Sequence, residues 1–302
     1  MRLPPTRLLH YFTYAISSSL VHCKVMSTQQ RRTTQDPLVT GRFLFLGTGA
    51  SSGVPVIGCS CAVCTSSNKK NRRLRASAYI SFSDKHLLVD AGPDIRQQAL
   101  LYKIRNVDAL LLTHTHYDHI GGLEEMRVFN FLQQKTIPCF LSRESELAAK
   151  KLFYYLFEKG SKNGRAFTAA LNFHKLKGRS GKVVCEGLEV EYFGYSQGHM
   201  QVTGYRFGDL AYVTDIKHYD KKIFDHLQGL STLIISALRF IPAPLQFTVD
   251  EAIDFAKKAG AKKTYLMHLS HEVEYKHLQT LLPESFFPAY DGLEIPFEAQ
   301  KA

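Results

Sequence analysis

The segment His114-Thr115-His116-Tyr117-Asp118-His119 places four metal-binding groups within six residues, directly after an apolar run that ends at Leu112. A strand ending there delivers all four side chains into one loop at a sheet edge. Imidazole nitrogens with one carboxylate suit Zn, Mn or Fe, and a mixed set of nitrogen and oxygen donors can hold two ions side by side. A polar loop rich in histidine by chance is the plainer reading. The context argues against it, because a strand precedes the segment while Gly121-Gly122 and a helix follow it.

Further donors lie downstream. His199 follows a strand and a glycine, and Asp215 and His268 each directly follow an apolar strand. A lone histidine after a strand is usually an ordinary polar residue. Three donors at strand ends, in this order, would fill two coordination spheres, and strand ends are where open sheets place ligand sites. A second cluster, Cys59-Ser60-Cys61-Ala62-Val63-Cys64, offers three thiolates, one short of a tetrahedral site; three free thiols in a loop is the alternative. Cys23, Cys139 and Cys185 are scattered among apolar neighbours, so the set is no disulfide framework and reads as a reducing compartment.

The 302 residues suffice for one large domain with a substantial core, and no run reaches the apolar length of a membrane span. Of the net charge of +11, five units come from Arg2, Arg7, Lys24, Arg31 and Arg32, in a stretch without acids. Residues 1–41 read as a flexible leader: a mis-assigned start with Met26 as the initiator, with a transit segment as runner-up and a poor secretory signal as a third reading. The expected compartment is the cytoplasm, or an organelle if the leader is a transit segment. Residues 42–302 read as a single domain. Its remaining positive charge suits an anionic substrate such as a phosphate ester or RNA, although surplus solvated lysines explain it as well.

Strands are expected over Arg42–Gly47, Ala76–Ser83, His86–Asp90, Pro138–Leu141, Leu188–Gly194, Thr203–Phe207, Leu210–Thr214, Thr232–Ser236 and Thr264–Met267. Helices fall between them. One is capped by Thr248 with Glu251 in a capping box, and the last opens at Ser270-His271. Strands leading into helices, with meandering strands between, argue for sheets covered by helices on their outer faces.

With these residues in place, the chain resembles the metallo-β-lactamase superfamily: H-x-H-x-D-H, then a single His, a single Asp and a last His, over about residues 42–297. Within it, Leu46-Gly47-Thr48-Gly49, the cysteine cluster, Val89-Asp90-Ala91-Gly92, Met267-His268-Leu269-Ser270-His271 and Tyr290-Asp291-Gly292-Leu293-Glu294-Ile295 are similar to the phosphodiesterase group of the carbon–phosphorus lyase pathway. The resemblance implies an α/β four-layer αβ/βα sandwich. It implies that His114, His116 and His199 hold one divalent ion (Zn or Mn), that Asp118, His119 and His268 hold a second, and that Asp215 bridges them. It also implies a structural zinc on Cys59, Cys61, Cys64 and His271, a closed tetrahedral set.

Two such ions would generate a hydroxide near neutral pH, able to attack phosphorus in line, and the resemblance implies that the activity is hydrolysis of a small or cyclic phosphodiester, such as a phosphoribosyl cyclic phosphate. Asp90 is expected to orient a ligand histidine, although a strand-end turn explains it equally well. Arg239 could contact a phosphate or form a surface salt bridge. The chain departs from its relatives at Gln246, where they carry a histidine that assists the leaving group or holds the phosphate. A glutamine can hydrogen-bond a phosphate oxygen but cannot act as a general acid; His218 is a candidate substitute. Two other readings stand beside this one. A ribonuclease of the tRNA 3′-end type would need an RNA-docking arm, and Lys162, Arg165, Lys175, Lys177, Arg179 and Lys182 form a basic stretch without an arm motif. A zinc-stabilised binding protein with an impaired active site rests on Gln246. The expected partner is a small phosphodiester, with nucleic acid less favoured and no membrane; relatives suggest a homodimer.

Overall fold

The computed structural model describes residues 38–157 and 168–302; the leader before residue 38 and the basic residues Lys162 and Arg165 lie outside the described residues. In chain order the strands are β1 (Leu38–Gly47), β2 (Ser77–Phe82), β3 (Lys85–Val89), β4 (Ala109–Leu111), β5 (Ile137–Leu141), β6 (Leu171–Lys175), β7 (Ser180–Cys185), β8 (Leu188–Gln197), β9 (Met200–Phe207), β10 (Leu210–Val213), β11 (Thr232–Ser236), β12 (Lys263–Met267), β13 (Phe286–Pro288) and β14 (Glu294–Gln300). Among the described residues they form two seven-stranded sheets, ordered β14-β1-β2-β3-β4-β5-β6 and β13-β12-β11-β10-β9-β8-β7.

Three apolar clusters explain the stacking. Phe43, Ile80 and Val89 of the first sheet meet Val190, Tyr205, Tyr212 and Ile234 of the second in a core between the sheets. Leu88, Leu110 and Leu112 face outward, onto Ile95 of α1 (Ile95–Leu101) and the residues Met126 and Phe129 of α3 (Met126–Gln133), beyond the short α2 (Tyr117–Ile120). On the opposite side Leu233 and Ile235 bury Ala252 and Phe255 of a helix over Val249–Ala259. Each large apolar side chain among them contributes about 1.5–3 kcal/mol when fully buried. The result is the expected αβ/βα sandwich.

That helix is α6, after α4 (Arg143–Leu152) and α5 (Ile223–His226), with α7 (Tyr275–Leu281) last. Thr248 caps α6 by accepting from the Glu251 amide, while the Glu251 side chain accepts from the Thr248 amide, as the sequence predicts. No helix among the described residues is long and apolar enough to cross a membrane.

Several boundaries differ from expectation, three of them with a clear physical reason. The first strand begins at Leu38, because Leu38 pairs with Gln300 of β14; residues 38–41 therefore belong to the sheet and not to a leader. The last helix begins at Tyr275, capped by Glu274, so Ser270 and His271 stay in the loop before it. Strand β8 runs three residues past Gly194, because Tyr195 and Gln197 continue the buried face of Phe193. It then turns tightly through Gly198 and His199, with Gln197 opposite Met200.

Candidate metal centre

Strands β3 and β4 are parallel neighbours, as are β10, β11 and β12, and both sets end on one side of the sandwich. Asp90, the His114 loop, Asp215 and His268 follow directly from those ends. Asp90, Asp215 and His268 have φ of 61°, 54° and 58°, the left-handed region that non-glycine residues seldom adopt. Such strain persists only where the surroundings over-determine it, and it concentrates at functional sites.

Asp90 organises the first half of the centre. It is fully buried; its Oδ1 accepts from the Thr113 amide at 2.8 Å, and its Oδ2 accepts from the Thr113 hydroxyl and from His119 Nδ1, both at 2.7 Å. Sharing Nδ1 with a carboxylate leaves His119 Nε2 as a lone pair pointing inward. The Thr113 hydroxyl, having given its proton to Asp90, accepts from His114 Nδ1 at 3.0 Å. His114 Nε2 is thereby also a lone pair, 3.0 Å from His116 Nδ1. Asp90 thus spends both carboxylate oxygens on Thr113 and His119.

His119 Nε2 lies 3.3 Å from Asp118 Oδ2 and 3.1 Å from Asp215 Oδ2. His268 Nε2 lies 3.5 Å from Asp118 Oδ2 and 3.4 Å from Asp215 Oδ1. The ligand atoms of Asp118, His119 and His268 fall within 4.8 Å of one another, as do those of His114, His119 and Asp215. Asp118 Oδ2, His119 Nε2 and His268 Nε2 are buried without a hydrogen-bond partner among the described residues. An unsatisfied buried polar atom costs about 1–3 kcal/mol; three that converge on one point fit a cation there. The field agrees. Burial alone would raise Asp118 and Asp215, but His119 and His268 hold both carboxyls well below the usual range. Burial opposes charge on His119, yet Asp215 and Asp90 hold its pKa well above the ordinary value. His114 is driven the other way, by burial first and by His119 second.

His199 is not brought to this cluster. It is exposed on the β8–β9 turn, and none of the three groups of convergent ligand atoms among the described residues contains it. Gln197, two residues earlier and 6% exposed, turns inward and donates from Nε2 to Asp215 Oδ1 at 3.1 Å. The expectation failed because it ended the strand at Gly194; the alternation Phe193, Tyr195, Gln197 was the available signal. Gln246 also reaches the centre, donating from Nε2 to Asp215 Oδ1 at 2.5 Å. His218 is exposed and contributes backbone pairing to Ser196, not an acid at the centre. Arg239 pairs with Glu272 at 2.9 Å on the surface, the plainer of its two readings.

The cysteine cluster closes as expected on the fourth donor. Cys59 Sγ and Cys61 Sγ lie 3.3 and 3.5 Å from His271 Nδ1, and Cys64 joins them within 4.8 Å. The Cys64 amide, then His271, draw the Cys61 thiol down to about 6, while burial pushes Cys64 up to about 11. Cys₃His suits a closed tetrahedral zinc.

Residues 85–269 match the beta-lactamase superfamily domain. A Porphyromonas gingivalis protein named octanoyltransferase is 34% identical over 257 residues, 84% of this chain and 51% of that protein, so the chain spans about half the length of that relative. The crystal structure of a new diphosphatase from the PhnP family has a TM-score of 0.80 and 34% identity, covering 87% of this chain and 100% of that one. Zn(2+)-bound PqqB from Methylobacterium extorquens, at 17% identity, shares the fold with a TM-score of 0.65 over 84% of this chain and 99% of its own. The match over residues 85–269, on a two-sheet sandwich shared with that diphosphatase, makes this chain a member of the metallo-β-lactamase superfamily.

Proposed function

We propose that the protein hydrolyses a small or cyclic phosphodiester. The observation that carries this reading is the convergence of Asp118 Oδ2, His119 Nε2 and His268 Nε2, buried and unpartnered beside Asp215. Similarity to a PhnP-family diphosphatase supports a bond between phosphorus and oxygen as the target. A divalent ion (Zn or Mn) bound by these residues would supply Lewis acidity toward a phosphoryl oxygen and lower the pKa of water. A zinc on Cys59, Cys61, Cys64 and His271 would be structural.

The chain's own groups then divide the work. Asp90 fixes the tautomer and direction of His119. Gln246 and Gln197 hold Asp215 in place through their amides. Asp118 Oδ2, which receives no hydrogen bond, is available to accept one from the attacking water. Neither candidate position supplies an imidazole to protonate a leaving group, because Gln246 is an amide and His218 is exposed. Proton donation is typically worth 10²–10⁴-fold. Diesters with acidic leaving groups should therefore react far faster than dialkyl esters.

The test is hydrolysis of bis(p-nitrophenyl) phosphate by metal-loaded protein, against a dialkyl phosphate. Asp215→Ala should abolish activity, and the aryl ester should win by at least about 10²-fold. A fully metallated protein that cleaves no diester would remove the enzyme reading. It would leave a zinc-stabilised binding protein, a reading that the two glutamines on Asp215 also suit. Salt-dependent retention of tRNA would move the substrate toward RNA.

A further inference from the structure

Asp215 is crowded by donors. Its Oδ1 accepts from Gln197 Nε2 at 3.1 Å and from Gln246 Nε2 at 2.5 Å, and its Oδ2 accepts from the Thr214 hydroxyl at 2.6 Å. An ionised carboxylate offers about four lone-pair sites. Three are thus taken by protein donors, and the remaining one faces His119, 3.1 Å from Oδ2. A carboxylate that bridges two ions must give a lone pair to each, so this one is free to serve a single ion.

The two halves of the centre are also unequal in donors. On one side stand Asp118, His119 and His268, an anion with two imidazoles, with Asp215 3.1 Å from His119 and 3.4 Å from His268. On the other stand His114 and His116, whose one carboxylate among the described residues is Asp215, shared with the first half. The wall on that side is the β8–β9 hairpin: the Thr203 amide donates to the Thr113 carbonyl, and Met200, paired with Gln197, touches the Thr115 hydroxyl. The side chain that the hairpin turns inward is Gln197, a neutral amide, while the nearby imidazole of His199 faces solvent. Amide oxygens are weak ligands for zinc beside imidazole or carboxylate.

We infer that the catalytic centre holds one ion firmly, on Asp118, His119, His268 and Asp215, and that Gln197 keeps the His114–His116 half from retaining a second. This inference rests on the metal-centre reading but not on the identity of the substrate. The amides of Gln197 and Gln246 stand in for positive charge on that half, steadying Asp215 in place of a second ion.

Metal content of the purified full chain tests it directly. After saturation with zinc and removal of loosely bound ions, the protein should retain about two ions per chain, one in the centre and one on the cysteines. Cys61→Ser should lower the count by about one, and Gln197→His should raise it by about one. In manganese-loaded protein, electron paramagnetic resonance should show an uncoupled ion, and Gln197→His should introduce exchange coupling. Retention of about three ions by the unsubstituted chain, or a coupled manganese spectrum from it, would overturn the inference whether or not the variant folds. So would a folded Gln197→His protein whose count stays at two. Because none of these readouts is catalytic, absence of diester hydrolysis would remove the proposed function and leave this inference standing.

Discussion

Asp215 shows how much one side chain carries here. It is 1% exposed, sits in left-handed backbone and meets His119, His268, Gln197, Gln246 and Thr214 through two oxygens. Asp90 acts at one remove, through His119. Asp90→Asn should keep the hydrogen bond from the Thr113 amide but lose the acceptor that serves the Thr113 hydroxyl and His119 Nδ1, lowering metal affinity by about 10–100-fold in a zinc-competition titration; unchanged affinity would leave Asp90 a turn residue only. Away from the centre, Asp108 is opposed by burial but held below its ordinary pKa by Lys135, which donates to it at 2.5 Å. A depressed folded pKa contributes stability above the unfolded value of about 3.9 that is lost as pH falls through the folded pKa. The stability difference between wild type and Asp108→Asn should therefore be present at neutral pH and close below about pH 4 in urea titrations. At this scale Asp118 and His119 were legible from the dense run of donors that follows β4, and Asp215 and His268 because each lies just beyond the end of an apolar strand. Gln197 was not, because a neutral amide carries no ligand signal and its position depends on where a strand ends.

Among the elements, the α6 region couples stability to the site. Thr248 caps the helix two residues after Gln246, and the Phe247 amide donates to the Ile216 carbonyl, just past Asp215. Thr248→Ala should cost about 1 kcal/mol in urea unfolding, and an equal unfolding midpoint for both proteins would contradict the capping geometry. The capping box was readable from residue spacing, since it is a local device. The strand extension at β1 was not, because it depends on pairing with β14 at the far end of the chain. The end of β8 lies between these cases: its alternation is local, but a break at Gly194 is equally natural for a glycine between aromatic residues.

Over the whole molecule, the cysteine knot and the centre share one segment. His268 faces the carboxylates and His271 faces the thiols, three residues apart in the Met267–His271 run. Buried Arg73 ties the same segment to the first sheet's loops by donating to the Ser270 and Val273 carbonyls at 2.9 and 2.8 Å. Loss of the knot should therefore loosen His268 as well as unfold the loop. Cys61→Ser should lower Tm, with about 2–4 °C for each kcal/mol lost in a chain of this size. A variant with unchanged Tm would mean that the thiols hold no structural ion. The sandwich was legible because alternation of strands and helices is written along the chain. The sharing of donors between two sheets is a property of their stacking, and spacing alone assigns it poorly.

The most direct test is anomalous diffraction from crystals of the protein grown with manganese, measured at an energy where manganese scatters anomalously. A peak bounded by Asp118, His119, His268 and Asp215 is predicted, with the Gln197 and Gln246 amides still on Asp215 and little or no density between His114 and His116. Crystals with the cysteine knot filled and no peak at Asp215 would contradict the assignment of this cluster as a metal centre.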